Sequence, residues 1–224
     1  MKRANWGVFV SIEGCDGAGK STLCNDLCDR LRRAGYGCAI IDKRPTFEND
    51  FLSHHVTKLG ELTWAGARLD DRKIINDLHW LYMAAAWYAV IDQHCVQPAL
   101  AQNDFVLADS WYDKLLARFA LKPAPVKHQA STVFRSFSRP DLTFFLDVDP
   151  AEAARRKTTF AYSETGNLDG YVGATAENFI AYQSRVRQAY QALMTGERWV
   201  MIDANDCNRE AVVATILNEI QQRV

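Results

Sequence analysis

Val8-Phe9-Val10-Ser11-Ile12-Glu13-Gly14-Cys15-Asp16-Gly17-Ala18-Gly19-Lys20-Ser21 is the stretch that decides the fold of this chain. Val8 to Ile12 is a short apolar, β-branched run that reads as a buried strand. Ser21 to Ala34 reads as a helix stopped by Gly35, and Cys38-Ala39-Ile40-Ile41 as a second strand, which completes a βαβ unit. Between the first strand and the helix, Gly14 to Ser21 matches the pattern Gly-x-x-x-x-Gly-Lys-Ser/Thr. Glycines let the backbone curl until successive N–H groups point inward, and the positive end of the following helix adds to the attraction for anions. Gly14, Cys15, Asp16, Gly17, Ala18, Gly19, Lys20, Ser21 and Thr22 are therefore the expected nucleotide-phosphate site. Lys20 is expected to bridge the β- and γ-phosphates of ATP, and the Ser21 hydroxyl to ligate Mg2+. An ordinary glycine-rich turn with a capping serine is the alternative. The complete pattern in strand-to-helix context outweighs it.

Further apolar runs at Phe105–Ala108, Leu142–Leu146 and Trp199–Ile202 predict strands covered on both faces. Helices are predicted at about Asp71 to Gln102, interrupted near Pro98, and at Ser110–Leu121, Pro150–Lys157, Ala176–Thr195 and Asn208–Arg223. Strands alternating with helices imply an α/β fold with a parallel sheet and helices on both sides. Lys122 to Pro140, with Pro123, Pro125 and Pro140, reads as a surface excursion, and Thr158 to Thr175, with Gly166, Gly170 and Gly173, as a mobile flap. No repeat or low-complexity tract interrupts residues 1–224, so a single domain is expected.

Asp109 closes the predicted strand Phe105–Ala108, where a carboxylate would reach a metal ion or the acceptor; capping the next helix is the bland role. The cluster Arg155-Arg156-Lys157 precedes the flap and is suited to neutralising charge on a transferred phosphoryl group, with Arg155 and Arg156 as catalytic candidates. A solvated helix end is an equally good reading. No Asn-Lys-x-Asp motif of a nucleotide-switch GTPase is present, which favours a transferase.

The chain has 224 residues, 48% of them hydrophobic and 24% charged, as a globular protein should. With 26 basic and 27 acidic residues the net charge is -1, which disfavours nucleic acid and membrane surfaces as partners. No apolar run suits a membrane span, and Met1 to Trp6 lacks a secretory pattern, so a cytoplasmic location is expected. Cys15, Cys24, Cys28, Cys38, Cys95 and Cys207 are scattered and read as reduced thiols; Cys24 and Cys28 lack a second pair with zinc spacing.

Phe9 to Leu23, taken whole, resembles the opening of the thymidylate kinases, and Gln97-Pro98-Ala99-Leu100, Arg139 to Pro150 and Phe179 to Tyr190 are similar to family segments in matching order. The resemblance spans most of the chain, with Pro45 to Val96 matching poorly. It implies a P-loop kinase fold with a five-stranded parallel core, ATP and Mg2+, transfer of the γ-phosphoryl group to a nucleoside monophosphate, a lid at residues 157–175 and a homodimer. It also implies that Asp16 lies near the acceptor sugar. The acceptor site departs from the family pattern. The family's strand-end Asp-Arg-aromatic is Asp109-Ser110-Trp111 here, which removes a guanidinium clamp for phosphate. Its Arg-x-Pro becomes Lys43-Arg44-Pro45, so a cation persists. Its Phe and Arg on the acceptor helix fall near Ala84 and Tyr88, beside Trp87, with no arginine. Lys43, Arg44, Ala84, Trp87, Tyr88, Trp111 and Lys114, with Asp16, are the candidate acceptor contacts, and Lys114 and Arg118 can restore cationic character on one helix face. An acceptor other than thymidine monophosphate is expected, an unusual or modified nucleotide or another small metabolite. A kinase of a small-molecule hydroxyl and an ATP-binding regulator without transfer are the rival readings.

Overall fold

The computed structural model describes residues 6–65, 74–205 and 208–223. At its centre is a five-stranded parallel sheet in the order β2-β3-β1-β4-β5, with β1 at Val8–Gly14, β2 at Cys38–Ile40, β3 at Phe105–Asp109, β4 at Leu142–Asp147 and β5 at Trp199–Asp203. Around it lie α1 (Lys20–Arg33), α2 (Asp50–Gly60), α3 (Asp77–Ile91), α4 (Gln97–Gln102), α5 (Asp113–Phe119), α6 (Ala124–Phe134), α7 (Pro150–Arg155), α8 (Ala176–Leu193) and α9 (Arg209–Arg223). Every apolar run read as a strand is one, because a parallel strand buried on both faces needs apolar side chains in both directions. On β1, Val10 and Ile12 join a core with Leu23, Leu27 and Ile216, while Phe9 points the other way into a core with Leu81, Tyr88 and Phe134. The register sets Ile12 beside Asp109, so the carboxyl ends of β1 and β3 open together. In an open α/β sheet that crevice is where ligands bind.

Four sequence readings are corrected. No element is predicted between Ile41 and Asp71, yet α2 stands there, with the Asn49 side chain accepting from the Leu52 N–H. The helix expected from Asp71 begins at Asp77 instead, capped by Asn76, and Asp71 to Lys73 lie outside the described residues. Its interruption is a single π-helical turn, Asp92–Val96, immediately before the first turn of α4 that holds Pro98. Proline lacks an N–H for the carbonyl one turn back and crowds it, and the widened turn accommodates both.

Lys122 to Pro140 is not a plain surface excursion, because α6 occupies its middle and buries Ala130 and Phe134. Pro123 and Pro125 sit at the helix start, where a missing N–H costs nothing, so they mark a helix that they were read as excluding. The helix expected from Ser110 starts at Asp113, because Ser110 has φ 61°, in the left-handed region. That bend is held from both sides: Ser110 N–H donates to Ile12 O at 3.0 Å, and Trp111 N–H to Glu13 Oε1 at 2.7 Å.

Candidate active site

The loop after β1 has the conformation its glycines allow. Gly14, Gly17 and Gly19 take φ values of 146°, 88° and 89°. A Cβ on Gly17 would stand 3.0 Å from Ala153 O and 3.1 Å from Lys157 Cδ, whereas one on Gly19 would meet nothing within 4 Å. The first position is closed by protein, and the second faces open space, as the wall of a phosphate cradle must. Helix α1 follows with no side-chain cap on its first N–H groups, which leaves them for a ligand. Lys20, 8% exposed, curls over the loop and donates to Cys15 O at 2.7 Å and Gly14 O at 3.1 Å. Cys15 contributes backbone only: its thiol is buried beside Val148 O, and burial pushes its pKa up to about 11. Ala18 is buried, while Ser21 and Thr22 are exposed at the loop's exit.

Ser21 Oγ donates to Asp109 Oδ2 at 2.5 Å, and Lys43 Nζ lies 3.2 Å from the same oxygen. The carboxylate therefore does not cap the next helix, which begins four residues later. Burial works against the charged form of Asp109, but the Ser21 hydroxyl and the Lys43 and Lys20 ammonium groups outweigh it and lower its pKa. Two hard oxygen donors from separate elements thus stand side by side at the cradle's edge, a donor set suited to Mg2+ held jointly with phosphate oxygens.

Beyond them opens a cavity of about 760 Å3. All the acceptor candidates line it: Asp16, Lys43 and Arg44 near the transfer end, Ala84, Trp87 and Tyr88 from α3, and Trp111 and Lys114 after β3. Trp111 is 1% exposed and donates its indole N–H to Ser138 O, so only an edge of it serves the cavity. Tyr88 packs on it at 4.8 Å between ring centroids, and Trp87 meets Trp64 at 5.7 Å, giving an aromatic wall for a flat ring. Asp16 is gripped by Lys114 Nζ at 2.6 Å and Arg118 Nη2 at 2.8 Å. Burial alone would raise its pKa, but Lys114 and Arg118, with Lys20 behind them, hold it well below the usual carboxylate range. Behind the loop, Glu13 is fully buried and accepts from Ser11 Oγ, Trp111 N–H and Tyr190 OH. Burial, and then the Asp113 charge, push its pKa up to about 7 against those three hydrogen bonds.

Arg155 and Arg156 do not line this cavity. Arg155 is 77% exposed and paired with Glu152, and Arg156 reaches Glu152 and the carbonyls of Ala204 and Asn205. The member of the cluster that touches the cradle is Lys157, whose stem lies over Gly17 and whose ammonium pairs with Glu164 at 3.2 Å. The flap region holds two short turns, Tyr162–Glu164 and Asn167–Asp169, and contributes Glu164 and Asp169 to the cavity wall. Lys122 bonds Asp169 at 2.8 Å, Leu168 O at 2.9 Å and Asp77 of α3 at 3.0 Å. Gln183 of α8 reaches Asp16 and Glu164 O. Sequence reasoning missed Lys157, Lys122 and Gln183 as site residues; only Lys157 carried a signal, its place in a basic cluster before the flap. The five described cysteines are free thiols; Cys207 lies outside the described residues.

A family model described as thymidylate kinase matches residues 12–216. The chain is 28% identical to the thymidylate kinase of Halothermothrix orenii over 96% of its own length and 97% of that protein's. It is 29% identical to a probable thymidylate kinase of Halorubrum lacusprofundi, covering 93% and 95%, and 31% identical to the thymidylate kinase of Protochlamydia amoebophila, covering 89% and 86%. A phosphate cradle beneath a paired Ser21 and Asp109, on a sheet of this order and with relatives matched nearly end to end, places the chain in the thymidylate kinase family of ATP-dependent nucleoside-monophosphate kinases.

Proposed function

We propose that the protein transfers the γ-phosphoryl group of ATP to a nucleoside monophosphate other than thymidine monophosphate. The observation that carries the transfer is the juxtaposition of Ser21 and Asp109 at the junction between the cradle and the aromatic-walled cavity. The loop N–H groups and Lys20 take up the charge of the donor phosphates, and the cavity holds the acceptor in line with them. Ser21 and Asp109 would hold Mg2+, which would supply positive charge against the phosphate oxygens. Lys43, already against Asp109, and the neighbouring Arg44 serve the acceptor's anionic end. The choice of acceptor rests on what is missing: position 110 is serine, and α3 contains no arginine or lysine. A coupled ADP-release screen over nucleoside monophosphates tests both parts. Turnover of thymidine monophosphate at a rate matching the best alternative would defeat the second part and leave the first standing.

Residues 157–175 act as the lid. Lys157 already contacts the loop, and Arg155 or Arg156 can serve the γ-phosphoryl group only after that segment moves. One domain carries the whole activity, since the strands of the sheet run from residue 8 to residue 203. Among the described residues no helix is long and apolar enough to cross a membrane. We assign the protein to the cytoplasm, as a homodimer acting on small molecules rather than nucleic acid.

A further inference from the structure

Ser110, Lys114 and Arg118 recur at intervals of four residues along the chain leaving β3, and all three line the cavity. Each has unspent hydrogen-bonding capacity or charge. Ser110 is nine-tenths buried, and its Oγ has no partner among the described residues. The Arg118 Nε is likewise buried and unpartnered. Leaving such groups unsatisfied is costly unless a ligand completes them. Lys114 and Arg118 also share a single carboxylate, Asp16, so the cluster carries one positive charge in excess beside the phosphate loop. The excess is felt locally: burial lowers the Lys114 pKa first, Asp16 opposes, and Arg118 and Lys20 push it down further. A second anion placed here relieves repulsion that Asp16 alone does not.

We propose that Lys114 and Arg118, with the Ser110 hydroxyl, form the clamp for the acceptor's phosphate, standing in for a guanidinium at position 110, and that Asp16 holds their places until the acceptor arrives. This rests on the proposed nucleoside-monophosphate acceptor and names the residues that read its charge. A side chain at 110 would approach the phosphate from the strand end, whereas Lys114 and Arg118 approach from α5, alongside the loop. The acceptor phosphate then sits within the field of Lys20, where transfer needs it. Lys43 and Arg44 complete the grip from the opposite wall.

The test separates phosphate recognition from base recognition. ADP-loaded protein is titrated with the common ribonucleoside and deoxynucleoside monophosphates and with their nucleosides, and binding is followed by the fluorescence of the cavity tryptophans. The wild type is expected to favour at least one monophosphate over its nucleoside by 10-fold or more. Lys114→Met and Arg118→Gln are each expected to cut that ratio by about 10-fold or more, with monophosphate affinity falling further than nucleoside affinity. Arg118→Lys keeps the charge, spares the fold if the glutamine variant does not, and is expected to retain most of the ratio. An unchanged ratio in both neutral variants overturns the clamp and leaves the acceptor class intact. A wild type that prefers no monophosphate to its nucleoside overturns both.

Discussion

Lys20 shows most directly how one side chain links the fold to the chemistry. Its ammonium is already drawn over the loop by two carbonyls, so a bound triphosphate exchanges neutral acceptors for charged ones without moving the backbone. Lys20→Ala is expected to lower kcat by at least about 100-fold, the scale for losing one preorganised donor to developing charge. Its circular dichroism and melting temperature should stay close to wild type; full activity in the variant would contradict the assignment. Glu13 works through position alone, pinning the Ser110 bend by accepting from the Trp111 N–H. Its pKa is raised from 4.5 to about 7, so between those values the unfolded chain has lost the proton while the folded chain keeps it. Stability therefore falls as pH rises through that window and levels above it, by an amount on the order of 3 kcal/mol. Glu13→Gln removes the titration and preserves the shape, so the part of the decline due to this group should vanish from urea melts between pH 5 and pH 7.

At the scale of elements, α6 and the flap carry separate predictions. Phe134 of α6 is fully buried among Tyr88, Tyr112 and Phe119, so it braces the aromatic wall from behind. Phe134→Ala should cost about 3–5 kcal/mol by denaturant melts, and a loss under 1 kcal/mol would place α6 outside the core. Lys122 fastens the turn at Asn167–Asp169 to α3, across the cavity. Lys122→Met is expected to speed proteolysis within 157–175 and, if that segment is the lid proposed above, to raise ATP hydrolysis without acceptor by admitting water. These elements also mark how far the sequence could be read. The strands and the loop from Gly14 to Ser21 were legible because their signal is contiguous: apolar runs, then glycines, then a helix. Helix α6 was hidden because prolines both break helices and begin them. The Asp16 cluster was only half legible, since Lys114 and Arg118 lie about a hundred residues from Asp16 and meet it through the pairing of β1 with β3. Gln183 and Lys122 carried no local signal, because each acts through partners on other elements.

For the molecule as a whole, the open question is what covers α3. A helix with one face in the core normally shows polar residues on the other. Here Leu81, Ala84, Trp87 and Tyr88 are buried, yet Leu78, Tyr82, Ala86 and Ala89 on the exposed side are also apolar, and α2, which packs against α3, leaves its Phe51 77% exposed. The net charge of -1 offers little long-range repulsion to keep two such faces apart. A self-complementary apolar face is what a twofold dimer uses, and burying this one would also brace the helix that supplies Ala84, Trp87 and Tyr88 to the cavity. The protein is accordingly expected to sediment at about twice its chain mass of 25.3 kDa at micromolar concentration. Tyr82→Glu places a charge in the middle of the stripe and should shift the species to monomer, with a higher KM for the acceptor as α3 loses its brace. Sedimentation of the wild type as a monomer across the micromolar range would mean that this face stays in water, and that the cavity wall is held by the core alone.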